Sequence, residues 1–289
     1  MKEKLLLLGL VVLSVFVVAS FYLPGTNTTT TNQSAQETDE VSFVVYGDTR
    51  TNLDRHRQVV SQISRLDPQF VVNTGDLVEN GSREVQWKRF QQIISPLPGD
   101  YYPAVGNHEQ WNAVVKTFMR DHFPIVRENG YYSLNRAGIH WIFLNQYQPY
   151  DPGSRQYQWL RAELDDGVPT AVVMHEPHFK ANHSANIQTR AHLVPLIKAY
   201  DVELVFYGHS HMFGLRRSEG VTYVVAAGGG APLYAPNPET LDHYERENHF
   251  IYFRKKGSRL TGEVIGIEGE SLYQFSVHLE ETEEPAPSL

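Results

Sequence analysis

The chain has 289 residues and ample apolar content, enough for one large domain or two small ones. Its formal net charge is −8, from 25 Lys and Arg against 33 Asp and Glu, so it carries no basic footprint and no nucleic-acid partner is expected. It has no cysteine, which excludes disulfides, thiolate metal sites, cysteine nucleophiles and a lipoprotein-type anchor.

Lys2 and Lys4 precede an uncharged run from Leu5 to Leu23. As a helix rising about 1.5 Å per residue, that run approaches the roughly 30 Å of a bilayer core. An uncleaved anchor over residues 1–23 is favoured over a cleaved signal peptide, whose apolar region is usually shorter. Either way Lys2 and Lys4 stay in the cytoplasm. The expected location of the rest is outside the cytoplasm, anchored through the N-terminal helix or secreted. Residues 24–40, rich in Thr, Asn, Gln and Ser, read as a flexible tether.

From Val41 strands and helices alternate. Val41 to Tyr46 predicts a strand, Val59, Ile63 and Leu66 stripe a helix from about Leu53, and Phe70 to Asn73 predicts a second, buried strand. Trp87, Phe90 and Ile94 mark another helix, followed by a strand at Tyr101 to Val105. A helix near residues 109–122 precedes an antiparallel pair at Tyr131–Leu134 and Ile139–Leu144. Tyr157, Leu160 and Leu164 stripe the next helix; Thr170 to Met174 is a strand, Ile187 to Tyr200 a helix, and Leu204 to Tyr207 a strand. Beyond that the strands Val221–Ala226, Phe250–Arg254, Leu260–Ile265 and Leu272–Val277 follow with no long helix, and residues 280–289 form an acidic tail. One α/β domain over residues 41–279, closed by a β-rich C-terminal portion, is expected.

Five strand ends carry polar residues of one kind: Gly47-Asp48-Thr49-Arg50, Gly75-Asp76, Gly106-Asn107-His108-Glu109, His175-Glu176-Pro177-His178 and Gly208-His209-Ser210-His211. Ligands of open α/β sheets collect beyond the carboxyl ends of strands, so these loops are expected to meet in one pocket. Imidazole and carboxylate without sulfur suit zinc, manganese or iron. An acidic protein acting on phosphate esters would need such cations to neutralise its substrate.

In this order the motifs resemble the calcineurin-like metallophosphoesterases, which include purple acid phosphatases and cyclic-nucleotide phosphodiesterases; Gly-Asn-His-Glu with Gly-His-x-His is the specific pair. The resemblance covers about Val41 to Tyr234. It implies a four-layer α/β/β/α sandwich and two divalent metal ions. Asp76 would bridge both ions, Asp48 and His211 would hold the first, and Asn107, His175 and His209 the second. Asn107 would also face the substrate, a small phosphate ester. His108 would stand at the leaving group, positioned by Glu109. Two cations about 3.5–4 Å apart yield a bridging hydroxide nucleophile near neutral pH, and an acid such as His108 protonates the departing oxygen. The alternative is a catalytically weak, exported module that binds metal and phosphate.

One loop departs from the family pattern. Many members have Asp-x-His where this chain has Arg50, and purple acid phosphatases place a Tyr where it has Glu79. Repelled by a divalent ion, Arg50 is expected to turn its planar fork to the substrate phosphate. His56 and Glu79 are candidates for the missing ligand, although an ordinary helix-surface histidine is the better reading of His56. The loops 146–154 and 234–248, rich in Tyr and Pro, are candidates to roof the pocket.

Overall fold

The computed structural model describes residues 40–279 apart from Gln110 and Asp166. The expected anchor, the tether up to residue 39 and the acidic tail lie outside the described residues. Among those residues no helix is long and apolar enough to cross a membrane.

In chain order the elements are β1 (Val41–Tyr46), α1 (Leu53–Leu66), β2 (Phe70–Asn73), α2 (Glu84–Ile94), β3 (Asp100–Pro103), α3 (Ala113–His122), β4 (Tyr132–Arg136), β5 (Ile139–Phe143) and α4 (Arg155–Glu163). Then come β6 (Thr170–Val173), a π-helical turn (Thr189–Leu193) running into α5 (Val194–Ala199), β7 (Leu204–Tyr207), β8 (Phe213–Ser218), β9 (Val221–Ala226), β10 (His243–Glu245), β11 (His249–Lys256), β12 (Arg259–Gly266) and β13 (Ser271–His278). One sheet has the order β13-β12-β11-β1-β2-β3 and the other β10-β8-β9-β7-β6-β5-β4. Strands β1, β2 and β3 run parallel, as do β5, β6, β7 and β9; the outer strands are antiparallel.

The layering follows from strand alternation. Phe43 and Val45, Phe70 and Val72, Trp141 and Phe143, Ala171 and Val173, and Leu204 and Phe206 join one core shared by the two sheets. Phe43 stacks on Phe70 and Phe253, with ring centroids 4.8 and 5.0 Å apart, and meets Trp141 of the facing sheet edge-on at 5.2 Å. The intervening residues face outward. Val44, Tyr46 and Val71 pack on Val59 and Ile63 of α1, whereas Ile142, Val172 and Val205 pack on Leu160 of α4 and Ile197 of α5. This is the expected α/β/β/α sandwich.

The differences from the sequence reading are local. Asn112 caps α3 by accepting N–H bonds from Val114 and Val115, so the helix starts four residues after Glu109. Pro195 has no N–H for its i−4 carbonyl, and the expected single helix 187–200 opens beforehand into a π turn, with Val194 N–H donating to Thr189. Strands β8 and β10 were not anticipated, because Phe213-Gly-Leu-Arg-Arg-Ser and His243-Tyr-Glu lack an apolar run.

His56 corrects another reading. It is buried, with Nε2 3.2 Å from the Tyr46 hydroxyl and its ring against Phe90, so it is neither a helix-surface residue nor the missing ligand. Burial, helped by Arg57, lowers its pKa to about 3. Burial likewise lowers His178, which also faces Arg216, and His249 to about 4. All three titrate near 6.5 in an unfolded chain, so below that pH the unfolded state binds protons that the fold refuses. Their stabilisation is present in full above about pH 6.5 and is lost as pH falls toward 4 and 3. Urea unfolding at pH 4.5 is expected at a clearly lower midpoint than at pH 7.5; an unchanged midpoint would contradict this.

Candidate metal centre

The parallel strands deliver their polar ends to one place. Backbone bonds tie the loops together: Asp48 N–H to Gly75 C=O (2.9 Å), Thr49 N–H to Asp76 C=O (3.0 Å), Gly208 N–H to His175 C=O (2.9 Å) and, across the two sheets, Gly229 N–H to Gly47 C=O (2.8 Å). Glycine is required where the loops approach closely. A Cβ on Gly106 would overlap the Asp76 carboxylate, and one on Gly208 would lie 2.7 Å from Asp48 Oδ2. Asp48, Asp76, His209 and His211 have positive φ (56°, 57°, 67° and 44°). This left-handed conformation costs a non-glycine residue about 1–2 kcal/mol. Four of the six anticipated ligands thus sit on strained backbone, a pattern common at functional sites.

Asp48, Asp76 and His175 are buried and offer ligand atoms within 4.8 Å of one another. His175 Nδ1–H donates to Thr74 C=O at 2.9 Å, which turns Nε2 inward. That atom lies 3.1 Å from Asn107 Oδ1 and 3.4 Å from Asp76 Oδ1, and Asn107 Oδ1 lies 3.2 Å from His209 Nδ1. Asp76, Asn107, His175 and His209 therefore form a continuous run of donors, one carboxylate, one amide oxygen and two imidazoles, each 3.1–3.4 Å from the next. This donor set fits a divalent ion of the zinc, manganese or iron kind.

Electrostatics point the same way. Burial opposes charge on His175, but Asp76, then Asp48, outweigh it and raise its pKa to about 10. Asp76 is buried too, yet its interactions with His175, and then with His108, hold it well below the carboxylate range. His209 goes the other way, lowered to about 3 by burial and by His175.

The other anticipated ligands are placed differently. Asp48 accepts the His209 backbone N–H (2.9 Å to Oδ2), and its Oδ1 is 3.3 Å from His211 Nε2. His211 donates Nδ1–H to Pro232 C=O at 2.6 Å. Arg50 does not project toward open solvent: its Nε donates to Asp76 Oδ2 (3.0 Å), its Nη1 to Glu79 Oε2 (3.0 Å), and its Nη2 lies 3.2 Å from His211 Nε2. Glu79 is held by Thr51 and Arg50. It is a guanidinium partner here, not the missing metal ligand.

His108 stands at the rim, 23% exposed, with Nδ1–H donating to Glu79 C=O at 2.7 Å and Nε2 3.9 Å from Asp76 Oδ2. Glu109 does not hold it. The Glu109 carboxylate is fully buried and accepts the backbone N–H groups of Gly106 (2.6 Å), Asp76 (3.0 Å), Leu77 (2.9 Å) and Val78 (3.3 Å). Burial and the Asp76 charge push its pKa up, against the pull of those donors. Its position three residues after Gly106 makes it the clasp between two loops, and the ring is oriented by a backbone carbonyl that no sequence motif marks.

Two further residues were not singled out. Tyr234 stacks on His211 (ring centroids 4.3 Å apart, 12° between planes), and His183 lies 5.2 Å from the His209 ring and 4.7 Å from that of Tyr234. Tyr234 opens one of the two loops expected to roof the pocket. From the other, Gln146 Oε1 accepts the His175 and Glu176 N–H groups and fixes the fourth loop.

The model of the calcineurin-like phosphoesterase family matches residues 41–213. The chain belongs to that family. Among curated relatives, this chain is 28% identical over 196 residues to probable purple acid phosphatase 20 of Arabidopsis thaliana, covering 60% of this chain and 46% of the relative. It is 31% identical over 173 residues to purple acid phosphatase 15 of the same plant, covering 50% and 32%. The matched region thus spans under half the length of these relatives. In fold, this chain is similar to a purple acid phosphatase from yellow lupin (Lupinus luteus) seeds, with a TM-score of 0.71 at 18% identity over 83% of this chain and 54% of that one. A dimetal phosphatase from Danio rerio matches with a TM-score of 0.60 at 15% identity over 83% and 99%.

Proposed function

We propose that this phosphoesterase hydrolyses small phosphate esters with divalent metal held by Asp76, Asn107, His175 and His209. The observation that carries the reading is the run of these four donors from four loops, beside a rim histidine, His108, whose Nδ1 is held by the Glu79 carbonyl and whose Nε2 lies 3.9 Å from Asp76 Oδ2. Metal bound there supplies positive charge to the phosphoryl oxygens and acidifies a water for attack. Asn107 and Asp76 orient the reacting group between the loops. With Nδ1–H committed to the Glu79 carbonyl, a doubly protonated His108 presents Nε2–H at the rim, where it gives a proton to the departing ester oxygen. Thr74 takes the Nδ1 proton of His175, so Nε2 is the nitrogen that would face the metal, giving up its proton as the ion binds.

A second reading, metal and phosphate binding without turnover, draws on the Arg50–Asp76 ion pair. Hydrolysis of mono- and diesters by manganese-loaded protein, with metal content measured in parallel, separates the two. Turnover is expected, with a loss of at least about 10²-fold in His175→Ala. Fully metallated protein without turnover would refute the hydrolase reading. Membrane anchoring through residues 1–23 belongs to the same proposal.

A further inference from the structure

Arg50 stands two residues after Asp48, and four of its five guanidinium N–H donors are engaged at the centre and its edge. Nε is 3.0 Å from Asp76 Oδ2, Nη2 3.2 Å from His211 Nε2, and Nη1 is fixed by Glu79 and Thr51 at 3.0 and 3.1 Å. The side chain is 11% exposed. These are well-matched contacts. His211 gives its Nδ1 proton to Pro232, so its Nε2 is an acceptor for the Nη2 donor, and Asp76 Oδ2 accepts from Nε. Glu79, held in turn by Thr51, anchors the third edge of the fork.

Asp76 Oδ2 and His211 Nε2 are two of the three donors that the family resemblance assigns to a first metal ion. Here both already face a cation that cannot lose its proton at any relevant pH. A divalent ion added beside Asp48 would lie against that guanidinium and be repelled. The other donor set meets the guanidinium only through Asp76 Oδ2. Among the described ion pairs, no lysine or arginine reaches Asn107, His175, His209 or Asp76 Oδ1.

We propose that the centre takes a single divalent cation, in the Asp76–Asn107–His175–His209 set, and that Arg50 is its permanent second cation. Asp48 and His211 then act as positioning residues: Asp48 holds the His209 backbone N–H and His211 accepts from the guanidinium. The fork beside Asp76 supplies fixed positive charge for a phosphoryl oxygen where a second metal would otherwise supply it. This inference rests on the hydrolase reading for its chemistry, but not for its metal count.

The test is the metal content of the full chain, loaded with manganese, freed of loose ions by dialysis and measured by atomic emission, with electron paramagnetic resonance on the same samples. One equivalent per chain and the six-line spectrum of isolated manganese are expected. Arg50→His, which puts an imidazole donor in place of the guanidinium, is expected to take up two equivalents and show an exchange-coupled pair. Arg50→Ala, free of any new ligand, is the check on folding and is expected to keep at least the first equivalent. Two equivalents in the unaltered chain would overturn the proposal. So would a single equivalent in folded Arg50→His, since the guanidinium would then not be what excludes the second ion. Ester hydrolysis by the same samples separates the two claims. Turnover with two equivalents sinks the single-ion centre alone, and one equivalent without turnover sinks the hydrolase reading alone.

Discussion

Replacing His108 with alanine is expected to lower kcat for an alkyl phosphate by about 10²–10⁴-fold while leaving the metal content unchanged. The ring touches the centre only from its rim: Nε2 is 3.9 Å from Asp76 Oδ2, and the backbone N–H, which donates to Asp76 Oδ1 at 3.0 Å, survives the substitution. Metal binding and loop position are therefore preserved, and what is lost is the proton donor. The loss should depend on the leaving group. An alkoxide departs badly without a proton, whereas an aryl oxide such as 4-nitrophenolate departs readily, so the variant should retain much more of its activity toward the aryl ester. Rates for an alkyl and an aryl phosphate, compared in the two proteins, check this. Equal losses for both esters would show that His108 binds phosphate rather than donating a proton.

The second large effect falls on stability. Glu109→Ala removes the acceptor for four buried backbone N–H groups, those of Gly106, Asp76, Leu77 and Val78. Each unsatisfied buried donor costs about 1–3 kcal/mol, so a loss of about 4 kcal/mol or more is expected, a large part of the roughly 5–15 kcal/mol of a typical domain. The two loops that carry Asp76, Asn107 and His108 would separate, and metal affinity should fall with stability. Glu109→Gln keeps one acceptor oxygen and is expected to lie between. Urea unfolding of the three proteins measures the series. An alanine variant within about 0.5 kcal/mol of the parent would mean that the carboxylate is not the clasp.

Much of this was legible in the residues themselves. Apolar runs such as Phe70 to Asn73 and Leu204 to Tyr207 are buried on both faces, so their strands could be read directly, and the polar residues after them follow from the parallel order of those strands. What sequence could not supply is the partner of each polar atom. Glu109 adjoins His108 in the chain yet points into the protein, and the His108 ring is held by the carbonyl of Glu79, 29 residues earlier. His56 looks like a surface residue of α1 until the fold brings its Nε2 within 3.2 Å of the Tyr46 hydroxyl. Arg50 is the clearest case. Repulsion by a metal ion predicted that it would turn its fork to a substrate phosphate, whereas Asp76 and Glu79 pair with it directly. Strand β8 escaped notice because its pairing with β9, rather than an apolar pattern of its own, makes it a strand.

The idea that everything else depends on is that Asp76, Asn107, His175 and His209 gather around a cation. Anomalous diffraction from crystals grown with manganese tests it most directly. The expected result is a peak in contact with Asn107 Oδ1 and the inward nitrogen of His175. Anomalous density only elsewhere on the molecule, with these four side chains left to bond one another, would contradict it.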